Sequence, residues 1–311
     1  MRRPPQTASL PLAAALGALL GVSAAQAAPA TPRSVEYAAE VGIGTEYDSN
    51  VSVEEVDRTS NEGDYALNLD LGVEVSRALS DQVDIAATYD LSQTLYREFD
   101  EVDRQTHILG ADVSLDAGAV DSGVSLFYIN SRLDGSRFLE LYRLSPYLSG
   151  FLSRRWFARG AYVYSEKAIA DRPERDATTH AAEADLYYFR RGLRSYFNVG
   201  YRFRNENART DRLDYRANSL KLRYIHRFDV FSRLAKLELA WRYEDRDYRS
   251  VTPVIQDKRR DERHRWRADL EVPLTVKAAV QFYYSYGDYD SNYTPADYSQ
   301  HLLGTRLVYL W

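Results

Sequence analysis

Cysteine is absent from the 311 residues. That excludes a disulfide framework and a lipid-modified cysteine anchor. No apolar run approaches the about 20 residues that a membrane-spanning helix needs. The longest, Leu10–Val22, follows Arg2 and Arg3 and precedes the small residues Ala25 and Ala27 of "AQA". This is the layout of a cleaved secretory signal peptide, Met1–Ala27, which leaves residues 28–311 as the mature chain. Losing Arg2 and Arg3 takes Lys+Arg from 40 to 38 against 45 Asp+Glu, so the mature net charge is −7. No basic surplus exists to hold a nucleic acid. Neither a Pro/Gly/Ser linker nor a low-complexity tract divides the mature chain, so a single domain is expected. A Gly-x-Ser-x-Gly elbow and a His-Glu-x-x-His motif are both missing, as is a Gly-rich phosphate loop, so neither an organic cofactor nor a resident metal is indicated.

What the chain has is alternation. Tyr65, Leu67, Leu69, Leu71, Val73 and Val75 are interleaved with Ala66, Asn68, Asp70, Gly72, Glu74 and Ser76. The same period of two recurs at Phe197–Phe203, Leu237–Tyr243 and Val280–Tyr286. Period two means a strand with one apolar and one polar face. These runs last about ten to twelve residues where soluble strands average five or six, and tilted strands of roughly nine to eleven suit a bilayer. Short links (Ser80–Gln82, Arg191–Arg194, Thr275–Lys277) alternate with long polar ones, the plan of a bacterial outer-membrane barrel. Fourteen runs begin near Val35, Tyr65, Val83, His107, Gly123, Phe138, Trp156, Ala181, Arg194, Ala217, Leu234, Arg263, Ala278 and His301. The sixth is the poorest, because Pro146 removes a ladder donor.

The fold class read from this is all-β: a transmembrane, antiparallel, up-and-down barrel of about fourteen strands in the outer membrane. A β-sandwich also alternates, but its apolar faces must supply a core. With 25 Tyr, 11 Phe and 4 Trp, many of the Tyr near expected strand ends, the composition suits membrane interfaces better. The final run places Leu303, Thr305, Leu307, Tyr309 and Trp311 on one face. Leu307, Tyr309 and Trp311 look like the C-terminal signal that the barrel assembly machinery reads. Other expected partners are outer-membrane lipid and lipopolysaccharide, together with a periplasmic export partner.

If apolar residues face lipid, their neighbours line the lumen. The first half supplies Glu36, Glu40, Asp70, Glu74, Asp84, Asp90 and Asp112, an acidic wall joined by Glu183 and Asp185. The second half supplies Arg202, Arg204, Lys221, Arg223, Lys236, Arg242, Arg265 and Arg267, a basic wall with Glu238, Glu244, Asp269 and Glu271 among it. In a closed ring the two walls face each other. They either meet as a salt-bridged plug or leave a narrow polar passage, which is the preferred reading because fourteen strands lie near the open end of the size range. A folded-in outer loop, Ser49–Gly63 or Tyr248–Glu262, would close it.

Two local patterns remain. Tyr-Asp-Ser-Asn occurs at Tyr47–Asn50 and again at Tyr289–Asn292, each where an up-going strand ends. Turn chemistry explains both copies. A calcium site at Asp48, Asp288 and Asp290 is the competing reading, since hard cations collect oxygen ligands. Charged outer segments such as "EEVD", "FDEVD" and "DRPERD" are expected to be hydrated, and Asp257–Arg265 could pair with lipopolysaccharide phosphates. Only His107 (near Asp103) and His264 (near Glu262) offer an acid–base pair for an enzyme.

"GIGTEYDSNVS" (Gly42–Ser52), a first strand entering an Asn/Asp-rich loop, resembles the opening of the C-terminal barrel in surface lipoprotein assembly modifiers. It is also similar to barrels of exopolysaccharide systems. The first resemblance implies a fourteen-strand barrel that helps lipoproteins reach the cell surface, preceded in that family by a superhelix of tetratricopeptide repeats. Only residues 28–34 separate the expected cleavage site from Val35, so such a superhelix would come from another protein.

Overall fold

The computed structural model describes residues 35–230 and 232–311; the expected signal peptide, Met1–Ala27, lies outside them. Fourteen long antiparallel strands close into one barrel: β1 (Glu36–Asp48), β4 (Asp64–Ala78), β5 (Val83–Tyr96), β6 (Arg104–Asp116), β7 (Asp121–Leu133), β8 (Ser136–Ser153), β9 (Trp156–Ile169), β10 (Ala177–Phe189), β11 (Ser195–Ala208), β12 (Tyr215–Val230), β13 (Arg233–Thr252), β14 (Asp257–Pro273), β15 (Ala278–Ser291) and β16 (Tyr298–Leu310). Two two-residue strands, β2 (Ser52–Val53) and β3 (Arg58–Thr59), form a ribbon within the first outer loop. Each long strand pairs with its chain neighbour, and β1 closes the ring by pairing with β16 and β4. Closure leaves no edge, which lipid requires because exposed backbone groups find no water there.

Side-chain parity sorts the two faces. On β4, Leu67 and Leu69 are each 38% exposed on the outside, whereas Ala66 at 4% points in. Leu303, Leu307, Tyr309 and Trp311 are likewise outward and exposed. Tyrosine and tryptophan pairs sit near strand ends, including Tyr47–Tyr65, Trp156–Tyr188 and Tyr309–Trp311, as an aromatic belt should. Inside, rings lie flat over glycines: a Cβ on Gly304 would come within 2.2 Å of the Tyr283 ring, and one on Gly123 within 2.4 Å of Tyr147. Only glycine lets these rings fold down against the wall.

Two expectations about the connections change. The outer link between β7 and β8 is just Asp134–Gly135, both at positive φ (46° and 69°), a tight hairpin turn that Asp-Gly favours. The stretch Tyr248–Glu262 is not a long loop, because β13 runs to Thr252 and β14 starts at Asp257. These strands continue past the apolar belt, where both faces become polar and alternation stops marking them. Pro146 does disturb its ladder: Leu144 pairs with Tyr164 and Tyr147 with Ala161 on β9, and the two residues between them are skipped.

Leu69 lies near mid-strand on the outer face. Leu69→Arg is therefore expected to destabilise the barrel in vesicles by about 2–4 kcal/mol, the cost of a cation near the bilayer midplane. Urea unfolding reads this; an unchanged midpoint would contradict the assignment of that face.

A candidate functional site: the lumen and its first outer loop

The loop Ser49–Gly63 begins at a carboxylate that turns the chain inward. Asp48 is 1% exposed. It accepts bonds from the Asn50 backbone N–H (2.9 Å), the Gln300 amide (2.9 Å) and the Tyr96 hydroxyl (3.1 Å). The Asn50 side-chain oxygen accepts the Asn61 N–H at 2.9 Å. With Val51 and Ser60 bonding Glu62 and Val51 backbone carbonyls, this makes the loop a compact hairpin. Val51 and Val53, each 3% exposed, pack with Val102, Phe138 and Ile169 from three other connections or strand tops.

The loop's acids reach across the barrel mouth. Glu54 pairs with Arg263, with Arg265 at 2.7 Å and with Arg246 at 3.4 Å, on β13 and β14. Glu55 receives both terminal nitrogens of Arg104 on β6, at 2.8 and 3.1 Å. Asp57 takes Arg175 from the β9–β10 link at 2.7 Å and Arg259 of β14 at 2.9 Å. Arg259 in turn bonds Asp261 at 2.7 Å and lies over the Tyr248 and Tyr293 rings. One short segment thus ties together distant parts of the ring. Burial alone would raise the Glu54 carboxyl, but Arg265, Arg263 and Arg246 outweigh it and hold it well below the usual carboxylate range. Asp57 follows the same logic, burial opposing and Arg259 and Arg175 prevailing to lower it. The expected hydration of "EEVD" is overturned, because these carboxylates are held by arginines. A cavity of about 240 Å³ lies against the loop, lined by Glu46, Asp48, Glu54, Glu55, Tyr96 and Arg104 among others.

Parity places the expected wall residues on the inward register. Glu36, Glu40, Asp70, Glu74, Asp84, Asp90 and Asp112 fall on β1, β4, β5 and β6. Arg202, Arg204, Lys221, Arg223, Lys236, Arg242, Arg265 and Arg267 fall on β11 to β14. The alternative in which the two walls meet as a plug has no ion pair across the lumen among the described residues. Wall ion pairs among the described residues run sideways, between strands no more than two apart: Lys221–Asp185 at 2.8 Å, Arg204–Glu244 at 2.9 Å, Arg223–Glu238 at 3.5 Å and Arg306–Asp70. Partners that close together cannot span the lumen, and it is the loop that crosses the mouth. Glu54, Glu55 and Asp57 were missed as site residues, as were Arg104, Arg175, Arg246, Arg259 and Arg263. The signal in the sequence was Val51-x-Val53 beside them, a short apolar alternation in a stretch otherwise polar enough to stay in water.

A model of the surface lipoprotein assembly modifier family matches residues 32–299. The chain belongs to that family. Among solved structures, OmpT of Vibrio cholerae, an outer membrane protein, is similar at a TM-score of 0.51 and 10% identity, covering 90% of this chain and 99% of that one. An anion-selective porin from Comamonas acidovorans is similar at 0.50 and 10%, covering 90% and 100%. At such low identity these likenesses carry the fold alone, an outer-membrane barrel. No curated protein matches the sequence at a significant level.

In this family member the two Tyr-Asp-Ser-Asn copies take opposite faces. Asp48 points into the lumen, but β15 turns its odd-numbered residues inward, so Asp288 and Asp290 face outward. The calcium reading fails on that parity: the ligands stand on two sides of the wall. Among the described residues no cluster of three or more His, Asp or Glu could hold a metal ion. Turn chemistry accounts for both copies, the second through the Asn292 side-chain oxygen accepting the Arg260 N–H at 2.9 Å.

The acid–base pairs also fail to form. All five histidines sit on the outward register among aromatic rings. His107 is bonded to the Tyr89 hydroxyl at 2.9 Å, while Asp103 accepts the Tyr96 backbone N–H at 2.7 Å. His264 lies between the rings of Trp241, Tyr243 and Trp266.

Proposed function

We propose that this barrel serves surface lipoprotein assembly by giving polar cargo a narrow, charged passage, with Ser49–Gly63 keeping the outer mouth shut at rest. The observation that carries this is the way the loop is held. Its polar contacts with the far wall are ion pairs of Glu54, Glu55 and Asp57 with arginines, which a charged cargo group can replace one for one. A purely structural cover would more naturally join the wall through backbone ladder bonds. Acids concentrated on β1, β4, β5 and β6, with arginines and lysines on β11 to β14, set a transverse field that orients zwitterionic or charged groups. A periplasmic partner delivering cargo would engage the side of the short turns. Swelling of proteoliposomes in isotonic glycine tests the reading, and swelling that is slow with the intact chain and markedly faster once residues 51–59 are removed is the expected result. No swelling in glycine or in any charged solute, with the loop removed as well, would leave a barrel that only fills the membrane.

A further inference from the structure

Part-way down the basic wall, guanidinium groups outnumber the carboxylates that hold them. Arg143 of β8 and Arg202 of β11 share one carboxylate, Glu183, at 3.2 and 3.3 Å. Arg204 of β11 bonds Glu244 at 2.9 Å, and Glu244 is also committed to Arg246. Arg242 of β13 has Arg265 directly opposite it on β14, and its charged neighbours are Arg265, Glu244, Arg204 and Glu183. Among the described residues it forms no ion pair of its own. Like charges placed directly across a strand pair repel, and Glu54 at 2.7 Å is committed to Arg265 and not to Arg242.

A second observation points the same way. The Nε–H groups of Arg143 and Arg204 are buried without a hydrogen-bond partner, and that of Arg202, 3.3 Å from a Glu183 oxygen, is not aligned to bond it. A buried donor left unmade costs free energy that an incoming acceptor would recover. Four guanidiniums (Arg143, Arg202, Arg204 and Arg242) therefore share two carboxylates, Glu183 and Glu244, and Glu244 is divided further with Arg246. The net positive charge left there and the unused donors match an anion with several oxygens.

We propose that Arg143, Arg202, Arg204 and Arg242 form a binding site for a phosphate-type oxyanion in the lumen. Guanidinium forks suit such oxygens, giving paired, charge-assisted bonds that a lysine could not match. The site goes beyond the proposed passage, since it would bind its anion in a barrel that conducts nothing. Cargo or lipid bearing a phosphate group would pause here, and so would free phosphate.

Calorimetric titration of the detergent-solubilised barrel with inorganic phosphate, at constant ionic strength, tests the site. Saturable binding is expected, falling on the order of tenfold in each of Arg202→Gln and Arg242→Gln, since each removes a charged donor. Arg137→Gln, which removes an exposed cation of β8 paired with Glu140 at 2.6 Å, should leave binding unchanged. Heat-dependent gel migration of each variant verifies that the barrel has closed. Glycerol phosphate, run in parallel, separates the sources: binding as tight as inorganic phosphate fits an esterified headgroup, and exclusion fits the free ion, and either supports the site. Absence of saturable phosphate binding would overturn it. Equal loss in Arg137→Gln, or acetate binding as well as phosphate, would do so too.

Discussion

Removing residues 51–59 should turn a quiescent barrel into one with steady single-channel current, and Glu54→Gln combined with Asp57→Asn should give part of that effect. The ordering follows from what each change deletes. Hydrogen bonds to charged partners contribute roughly 1.5–3 kcal/mol each. Glu54 engages Arg246, Arg263 and Arg265, while Asp57 engages Arg175 and Arg259. Glu54 is 33% exposed at its side chain, which puts its contacts toward the low end of that range. The double substitution leaves the apolar anchor, in which Val51 and Val53 are each 3% exposed, and full burial of a valine is worth about 1.5–3 kcal/mol. The substituted loop should therefore flicker between shut and open, whereas the deleted loop cannot shut. Planar-bilayer recording distinguishes the two. A deletion variant as silent as the parent would mean that something other than the loop closes the lumen.

Acid should loosen the same closure. Glu54 and Asp57 are held below their ordinary values of 4.5 and 3.8, so docking favours their ionised forms. For carboxylates lowered in the docked state, the stabilisation is fully present above the ordinary value and is lost as pH falls through the lowered one. Open probability should stay flat from pH 7 down to about 5 and rise progressively below that. Glu54→Gln with Asp57→Asn should flatten the acid limb, since neither replacement titrates. Opening on raising the pH from 7 to 9 would have the wrong sign for these two groups.

Much of this was legible in the sequence, for reasons that particular residues make plain. The strand starts at Val83, Trp156 and Ala278 coincide with those expected, because the short links before them end where apolar alternation begins. The starts at Arg104, Ala177 and Asp257 lie upstream of the expected His107, Ala181 and Arg263. There the strands rise out of lipid, and segments such as Lys258–Glu262 carry charge on both faces. Parity would have excluded the calcium site, because Phe282, Tyr284 and Tyr286 facing lipid oblige Asp288 and Asp290 to do the same. The family resemblance drawn from Gly42–Ser52 holds over a far longer stretch, residues 32–299. What sequence spacing could not supply was the destination of the first loop. Glu54 and Arg263 are separated by 209 positions, and only closure of the ring brings them together.

The most direct test replaces single residues of Gln300–Tyr309 with cysteine, one at a time, in a chain that has none. In lipid vesicles, a membrane-confined quencher should reach labels at Leu303, Thr305, Leu307 and Tyr309. A water-borne thiol reagent should favour Gln300 and Leu302, which share the inward register and line the cavity beside the first outer loop. Reactivity alternating with period two is the predicted result. Uniform reactivity along the strand, or protein that stays soluble and compact without detergent, would contradict it.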